Sequence, residues 1–313
     1  MLRQSIFLAV CGPTAVGKTE LAIRVAEQAG RAEILSADSR QVYRGMEIGT
    51  AKPTAEEQRA VPHHLLDLRD PDQAYSAGDF VADARACLDG LRGRGILPIM
   101  VGGSGLYVQA ALDGLDEPAA SGTLARREEL LARLAHEGVA PLYEELGRVD
   151  PVAQARLAPG DARRILRALE LAAAARTGHA SDERVRRPLA CTLVMVCLEM
   201  DREALYRRIN ARVERMLANG LLDEARDLRA KGYDRDCPGC GSLGYREAFE
   251  VLDGRCSVGE ATESISRRTR QYAKRQWTWF RHDRRFRWLD LGALGLEGAA
   301  DRILAQLAAE GAL

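Results

Sequence analysis

The residues with the plainest chemistry form one run, Gly12-Pro13-Thr14-Ala15-Val16-Gly17-Lys18-Thr19, in which both glycines, the lysine and the hydroxyl residue stand at the spacing of a phosphate-cradling loop. Glycines let backbone N–H groups turn inward onto phosphate oxygens at a helix N-terminus, where the helix dipole also favours negative charge. Lys18 adds a point charge, and the Thr19 hydroxyl can hold Mg2+. The chemistry implied is the binding of a di- or triphosphate. Such a loop needs a strand before it and a helix after it. Residues 6–10 are a short apolar run suited to a buried strand, and residues 20–28 carry a helical pattern.

A sheet must surround that unit. Residues 6–10, 32–35 and 97–101 read as strands and residues 19–29 and 78–92 as helices, which predicts an α/β fold of the P-loop NTPase-like kind, a parallel sheet flanked by helices. From 115 to 188 Arg, Ala, Leu and Glu recur at helical spacing without a convincing strand. This predicts a helical insertion domain over 115–188, with 1–114 and 189–313 as the core domain. Residues 189–198 return the chain to the sheet, a long helical stretch runs from Asp201 to about Lys231, and an amphipathic helix follows Leu291.

At 313 residues and 46% hydrophobic content, the chain can bury one large α/β core and a smaller one. Its formal net charge is zero, so any nucleic-acid surface must be a local concentration of charge. No stretch approaches the roughly 18 apolar residues of a membrane span. The first apolar run enters the loop with no cleavage site between them. A cytoplasmic protein, monomeric and with no membrane partner, is expected. Seven cysteines, an odd number scattered along the chain, argue against a disulfide framework. Cys237-Pro238-Gly239-Cys240 has metal-ligand spacing, but no second pair completes four ligands, so it reads as a turn carrying two thiols. His63-His64 lacks a matching carboxylate pattern and reads as structural.

The segment 267–287 holds nine basic residues against one acid, Asp283, with Tyr272, Trp277, Trp279, Phe280 and Phe286 interleaved. Basic groups neutralise phosphates and aromatic faces stack on unpaired bases, so the segment points to RNA in preference to a solvated helix whose aromatics pack inward.

Further segments stand in one order along the chain: Ser36-Ala37-Asp38-Ser39-Arg40-Gln41-Val42-Tyr43, Gly45-Met46-Glu47-Ile48-Gly49-Thr50-Ala51-Lys52-Pro53, Val101-Gly102-Gly103-Ser104-Gly105-Leu106-Tyr107, Gly244-Tyr245-Arg246, and Lys274-Arg275-Gln276-Trp277-Thr278-Trp279-Phe280-Arg281. Together with the loop they closely resemble the bacterial tRNA dimethylallyltransferases, and the resemblance covers nearly the whole chain. It implies transfer of a dimethylallyl group from dimethylallyl diphosphate to N6 of the adenosine 3′ of the anticodon. It implies that the loop holds the donor's diphosphate, with Lys18 and with Mg2+ at Thr19. Asp38 matches the family's proposed general base, and Ser104 stands where many relatives carry threonine and keeps the hydroxyl. Asp38, Ser39, Arg40 and Gln41, Gly160-Asp161-Ala162-Arg163-Arg164 in the insertion, Gly244-Tyr245-Arg246, and the run from Lys274 to Arg281 match the stretches that would contact a tRNA anticodon stem-loop. Arg40 stands where some relatives have an apolar residue.

Other readings of the residues stay open at this point. Asp38 in Ala-Asp-Ser also suits a turn or helix cap. Arg208 and Arg212 recur on one helical face and suit either a clamp on the diphosphate or surface salt bridges. The loop alone suits a small-molecule kinase or NTPase, although residues 97–101 lead into Gly102-Gly103-Ser104 where such sites usually present an acid. The same prenyl chemistry could use free AMP or ADP. A non-enzymatic RNA-binding module would explain 267–287 but leaves Lys18, Thr19 and Asp38 without a purpose.

Overall fold

The computed structural model describes residues 6–115, 123–176 and 188–312. Strands β1 (Ile6–Cys11), β2 (Ala32–Ser36), β3 (His63–His64), β4 (Leu97–Gly102), β5 (Thr192–Glu199) and β6 (Arg287–Asp290) form one sheet in the order β3-β2-β4-β1-β5-β6, and every adjacent pair is parallel. Side chains alternate across it. Leu8 and Val10, Ile99 and Val101, Val194 and Val196 face one apolar layer, and Phe7, Ala9, Met100, Met195 and Cys197 face the other. Both faces are covered, which is why the central strands read as unbroken apolar runs.

Helices α1 (Lys18–Ala29), α2 (Ala55–Ala60), α3 (Ala77–Gly93) and α4 (Gly105–Asp113) follow the first strands. Leu21, Ala22 and Val25 of α1 pack in the first layer, whereas Phe80 and Leu88 of α3 and Val108 and Ala111 of α4 pack in the second. The chain divides into two compact units, residues 1–113 with 188–313, and residues 114–187. The second unit holds α5 (Thr123–Glu137), α6 (Val139–Val149), α7 (Pro151–Arg156) and α8 (Ala162–Arg176) around Leu130, Leu142, Leu146, Ile165 and Leu169. Residues 116–122 and 177–187, where the sequence places the edges of the insertion, lie outside the described residues.

After β5 come α9 (Arg202–Ala218), α10 (Leu221–Ala230), α11 (Tyr245–Leu252), α12 (Val258–Arg281) and, beyond β6, α13 (Leu291–Ala309). The helical stretch expected over 201–231 consists of two helices, because Gly220 takes a left-handed conformation, φ 100°, between α9 and α10. The strand β6 was not expected, since its four residues sit at the end of the basic run.

α12 is the element that organises the site. Its 24 residues span about 36 Å. Ile265 near its start packs in a third cluster with Val213, Leu221, Tyr245 and Phe249, Ala273 in the first sheet layer and Phe280 in the second. The helix therefore passes from one face of the sheet to the other, over the carboxyl ends of the strands, where open α/β sheets bind ligands.

Candidate active site

The loop after β1 is built by backbone geometry. Gly12 has φ 141°, and a Cβ there would lie 2.8 Å from the Leu198 carbonyl of β5. Gly17, at φ 111°, is the left-handed cap from which α1 starts. Val16 is fully buried between them. The Lys18 ammonium donates to the Pro13 carbonyl at 2.8 Å, within the loop itself. Burial pulls Lys18 down to about 8; Asp38 opposes that shift and Arg212 adds to it.

Two neighbouring loops face this one. After β2, Asp38 Oδ1 accepts the Arg40 N–H at 2.8 Å, the aspartate turn that its sequence context suggests. After β4, Ser104 Oγ accepts the Ser39 N–H at 3.1 Å, and Ser104 N donates to the Ala37 carbonyl at 3.3 Å. The Ala37 backbone fills the place a side chain at Gly102 would need, so this crossing requires glycine. Tyr272 of α12 stands beside Ser104 and Asp38, and burial with the nearby Asp38 charge pushes that phenol upward.

Gln276 ties the group together from above. Its Oε1 accepts the Thr14 N–H at 2.8 Å and its Nε2 donates to the Gly103 carbonyl at 3.0 Å. One buried amide, 5% exposed, thus joins the phosphate loop to the loop that carries Ser104.

Asp38, Thr14, Thr50 and Arg212 line two adjoining cavities. The smaller, about 70 Å3, also reaches Lys18 and Thr19; the larger, about 500 Å3, extends past Arg40 and Gly244 to Tyr272 and Arg275. Arg212 is half-buried there, and burial pulls its guanidinium below the usual arginine range. Arg208 is exposed, with its guanidinium 3.6 Å from where a Gly17 Cβ would stand. A third cavity of about 690 Å3 opens between α4 and the end of α12, lined by Lys274, Arg275, Arg284 and Trp279. Arg275 stands at both this cavity and the larger of the first two.

Not every residue matched to RNA contact reaches a surface. Tyr245 is fully buried, and its hydroxyl donates to Glu224. Glu224 also accepts the N–H groups of Glu47 at 2.9 Å, Ile48 at 2.9 Å and Gly49 at 3.2 Å. That is the part played by the glycine-rich run at 45–53: it is a turn held by a carboxylate from α10. Phe280, 1% exposed, meets Phe286 edge to face at 5.2 Å and cannot stack on a base. Gln276 is occupied as described. Gln41 accepts the Ser36 hydroxyl at 2.8 Å and donates to the Ala51 carbonyl at 3.1 Å, so its amide braces the loops. Tyr245, Phe280 and Gln276 are thus buried parts of the scaffold, whereas Gln41 is half-buried and lines the smaller cavity.

The others are placed to reach a ligand. Ser39 and Arg40 border the larger cavity, Arg40 donating to the Pro238 carbonyl at 3.0 Å. Gly244 lines it, while Arg246 is exposed beside Glu250 at 3.7 Å. Along α12, Lys274, Arg275 and Thr278 are exposed and Trp279 is 43% exposed, its indole over Gly105. Arg281 lies over the Trp277 ring at 3.8 Å and near Glu199 at 3.8 Å. In the second unit Asp161 Oδ1 accepts the Arg164 N–H at 3.2 Å, and Gly160, Arg163 and Arg164 are exposed beside the half-buried Ala162. Sequence reasoning placed Tyr272 among the stacking aromatics but not beside Asp38, and it missed Glu224, which no local signal marks.

A family model described as IPP transferase matches residues 41–283. A tRNA dimethylallyltransferase of Halalkalibacterium halodurans is 42% identical over 288 residues, 91% of this chain and 90% of the relative. A tRNA dimethylallyltransferase 1 of Syntrophotalea carbinolica is 47% identical over 284 residues, 90% of each. The crystal structure of the full-length tRNA isopentenylpyrophosphate transferase of Bacillus halodurans superposes with a TM-score of 0.71 at 39% identity, covering 98% of both chains. A eukaryotic dimethylallyltransferase crystallised acting on tRNA gives 0.76 at 26% identity, covering 97% of this chain and 77% of that one. On the extent of these matches, the chain belongs to the IPP transferase family, that of the tRNA dimethylallyltransferases.

Proposed function

We propose that the protein prenylates tRNA, moving the dimethylallyl group of dimethylallyl diphosphate to N6 of the adenosine 3′ of the anticodon and releasing diphosphate. The observation that carries this reading is the shared cavity: Asp38 stands between a phosphate loop with two cations, Lys18 and Arg212, and a 500 Å3 space of a size to hold a base.

The loop's N–H groups, Lys18 and Arg212 receive the diphosphate, whose charge grows as the bond from C1 to oxygen breaks. The N6 amine forms its bond to C1 and gives its proton to Asp38, one of whose oxygens is already oriented by Arg40 N–H. Ser104 positions that carboxylate's loop by accepting the Ser39 N–H. Among the described residues no group of three or more His, Cys, Asp or Glu could hold a metal. The Thr19 hydroxyl beside a diphosphate nevertheless suits Mg2+, which is commonly bound by few protein oxygens plus phosphates and water. When bound, the ion neutralises charge on the leaving diphosphate.

The adenosine must leave its stack to reach Asp38, and unpaired loop bases make that displacement inexpensive. The basic cavity along α12 suits the phosphates of the stem-loop. Both substrates are water-soluble and every group named for the chemistry lies on one chain, so the reading includes a cytoplasmic monomer. Among the described residues no helix is long and apolar enough to cross a membrane.

The test is incubation with dimethylallyl diphosphate, Mg2+ and an unmodified anticodon stem-loop, followed by mass spectrometry for one added dimethylallyl group. Transfer to AMP or ADP without transfer to RNA would assign a free-nucleotide acceptor, and phosphate release from ATP would assign a kinase or NTPase.

A further inference from the structure

His63 stands at the wall of the cavity that holds the phosphate loop's lysine. It stands on β3 opposite Ile34 of β2, and it lines the 70 Å3 cavity together with Lys18, Thr19 and Asp38. Its Nδ1 lies 2.8 Å from the Val61 carbonyl. A carbonyl only accepts, so Nδ1 carries the hydrogen and Nε2 carries a lone pair. Burial moves the imidazole below its ordinary range and keeps it neutral. Nε2 is itself buried and has no hydrogen-bond partner in the chain. Buried acceptors are nearly always satisfied, so this one calls for a donor from outside the chain.

The other groups in the cavity narrow what the donor is. Ser36 and Gln41 also line it, and they bond each other at 2.8 Å. Thr19 is the residue beside which a divalent cation would sit, and β4 ends in glycines where a phosphate-loop nucleotide site presents an acid to that cation's shell. A water held by a cation donates both its hydrogens and needs acceptors. The cavity has room for more than one water.

We propose that His63 is a positioning residue for the donor's divalent cation, its Nε2 accepting a hydrogen bond from a water of the cation's shell inside this cavity. The inference rests on the reading that Thr19 and the diphosphate hold such a cation.

Binding without turnover tests it. Mn2+ retention is followed by electron paramagnetic resonance in the presence of inorganic diphosphate, and diphosphate binding is measured by calorimetry with Mn2+ and with a chelator. His63→Ala should weaken Mn2+ retention by between about ten- and a hundredfold, the usual loss for an outer-shell partner, and leave metal-free diphosphate binding unchanged. His63→Gln, which restores an acceptor, should recover most of it, and His64→Ala, which touches only the Glu33 contact at 2.6 Å, should lose none. If the alanine variant melts early, His63→Asn keeps a donor toward Val61 but cannot reach the Nε2 position, and it carries the same expectation. Wild-type Mn2+ retention in these variants, or an equal loss of diphosphate in the chelator, would overturn the proposal while leaving the cation reading intact. Wild-type protein whose diphosphate binding ignores Mn2+ would overturn both.

Discussion

Replacing Gln276 by Leu is the sharpest test of how the site is held together. The two side chains are similar in size, so packing is nearly kept, but the Thr14 N–H and the Gly103 carbonyl both lose their partner. Gly103 is buried and Thr14 half-buried at the cavity rim. An unsatisfied buried group costs about 1–3 kcal/mol; with the Thr14 N–H near the low end because water can reach it, the sum is about 2–4 kcal/mol. The folded enzyme can relieve that penalty only by letting the loop at Thr14 shift. Donor KM should therefore rise at least tenfold, equivalent to about 1.4 kcal/mol, together with a lower urea midpoint. KM for the stem-loop should barely move. Gln276→Glu keeps an acceptor for Thr14 and loses the donor to Gly103, so it should fall between wild type and Leu. Steady-state kinetics with each substrate varied separately, alongside urea denaturation, gives the answer. Unchanged donor KM with weakened RNA binding would refute the reasoning and return Gln276 to the RNA-contacting face.

Three more expectations come from the same geometry. Because Lys18 sits at about 8 in the free protein and the diphosphate needs its charged form, donor affinity should hold below pH 8 and weaken above it by up to tenfold per unit, with proton uptake on binding; Lys18→Met should flatten that slope in calorimetry. Asp38→Asn keeps size and one hydrogen-bond acceptor but removes basicity, so single-turnover prenylation should slow by about 10²-fold or more with donor binding intact, and a wild-type rate would make Asp38 only a turn residue. Replacing Lys274, Arg275 and Arg281 by Ala should weaken stem-loop binding and make log K less steep in log salt by roughly 0.7–0.9 for each RNA phosphate no longer neutralised, whereas an unchanged slope with intact melting would move the RNA site to the exposed residues around Arg163.

What could be read from the sequence was local. The phosphate loop, β1 and β4 announce themselves because glycine spacing and apolar runs need only near neighbours. The aspartate turn at Asp38 was legible for the same reason. The deeper organisation depends on distant partners. Gln276 and Thr14 are 262 positions apart, and Glu224 lies 176 positions from Ile48. Composition along α12 shows its charges but not its inner face, on which Ala273, Gln276 and Phe280 are buried. His63 looked inert because its spacing matches no ligand pattern, and its meaning comes from a cavity that only folding creates.

The path of α12 through three apolar clusters has a dynamic consequence. A segment can open by itself only if few packed groups hold it; this one is anchored at Ile265, Ala273 and Phe280, each in a different cluster. Its amides between 265 and 280 should exchange with deuterium only as fast as the whole core unit unfolds, and the phosphate loop, bonded to it through Thr14, should share part of that protection. Activity that depends on this helix should persist almost to the melting temperature of the core unit and then vanish with it.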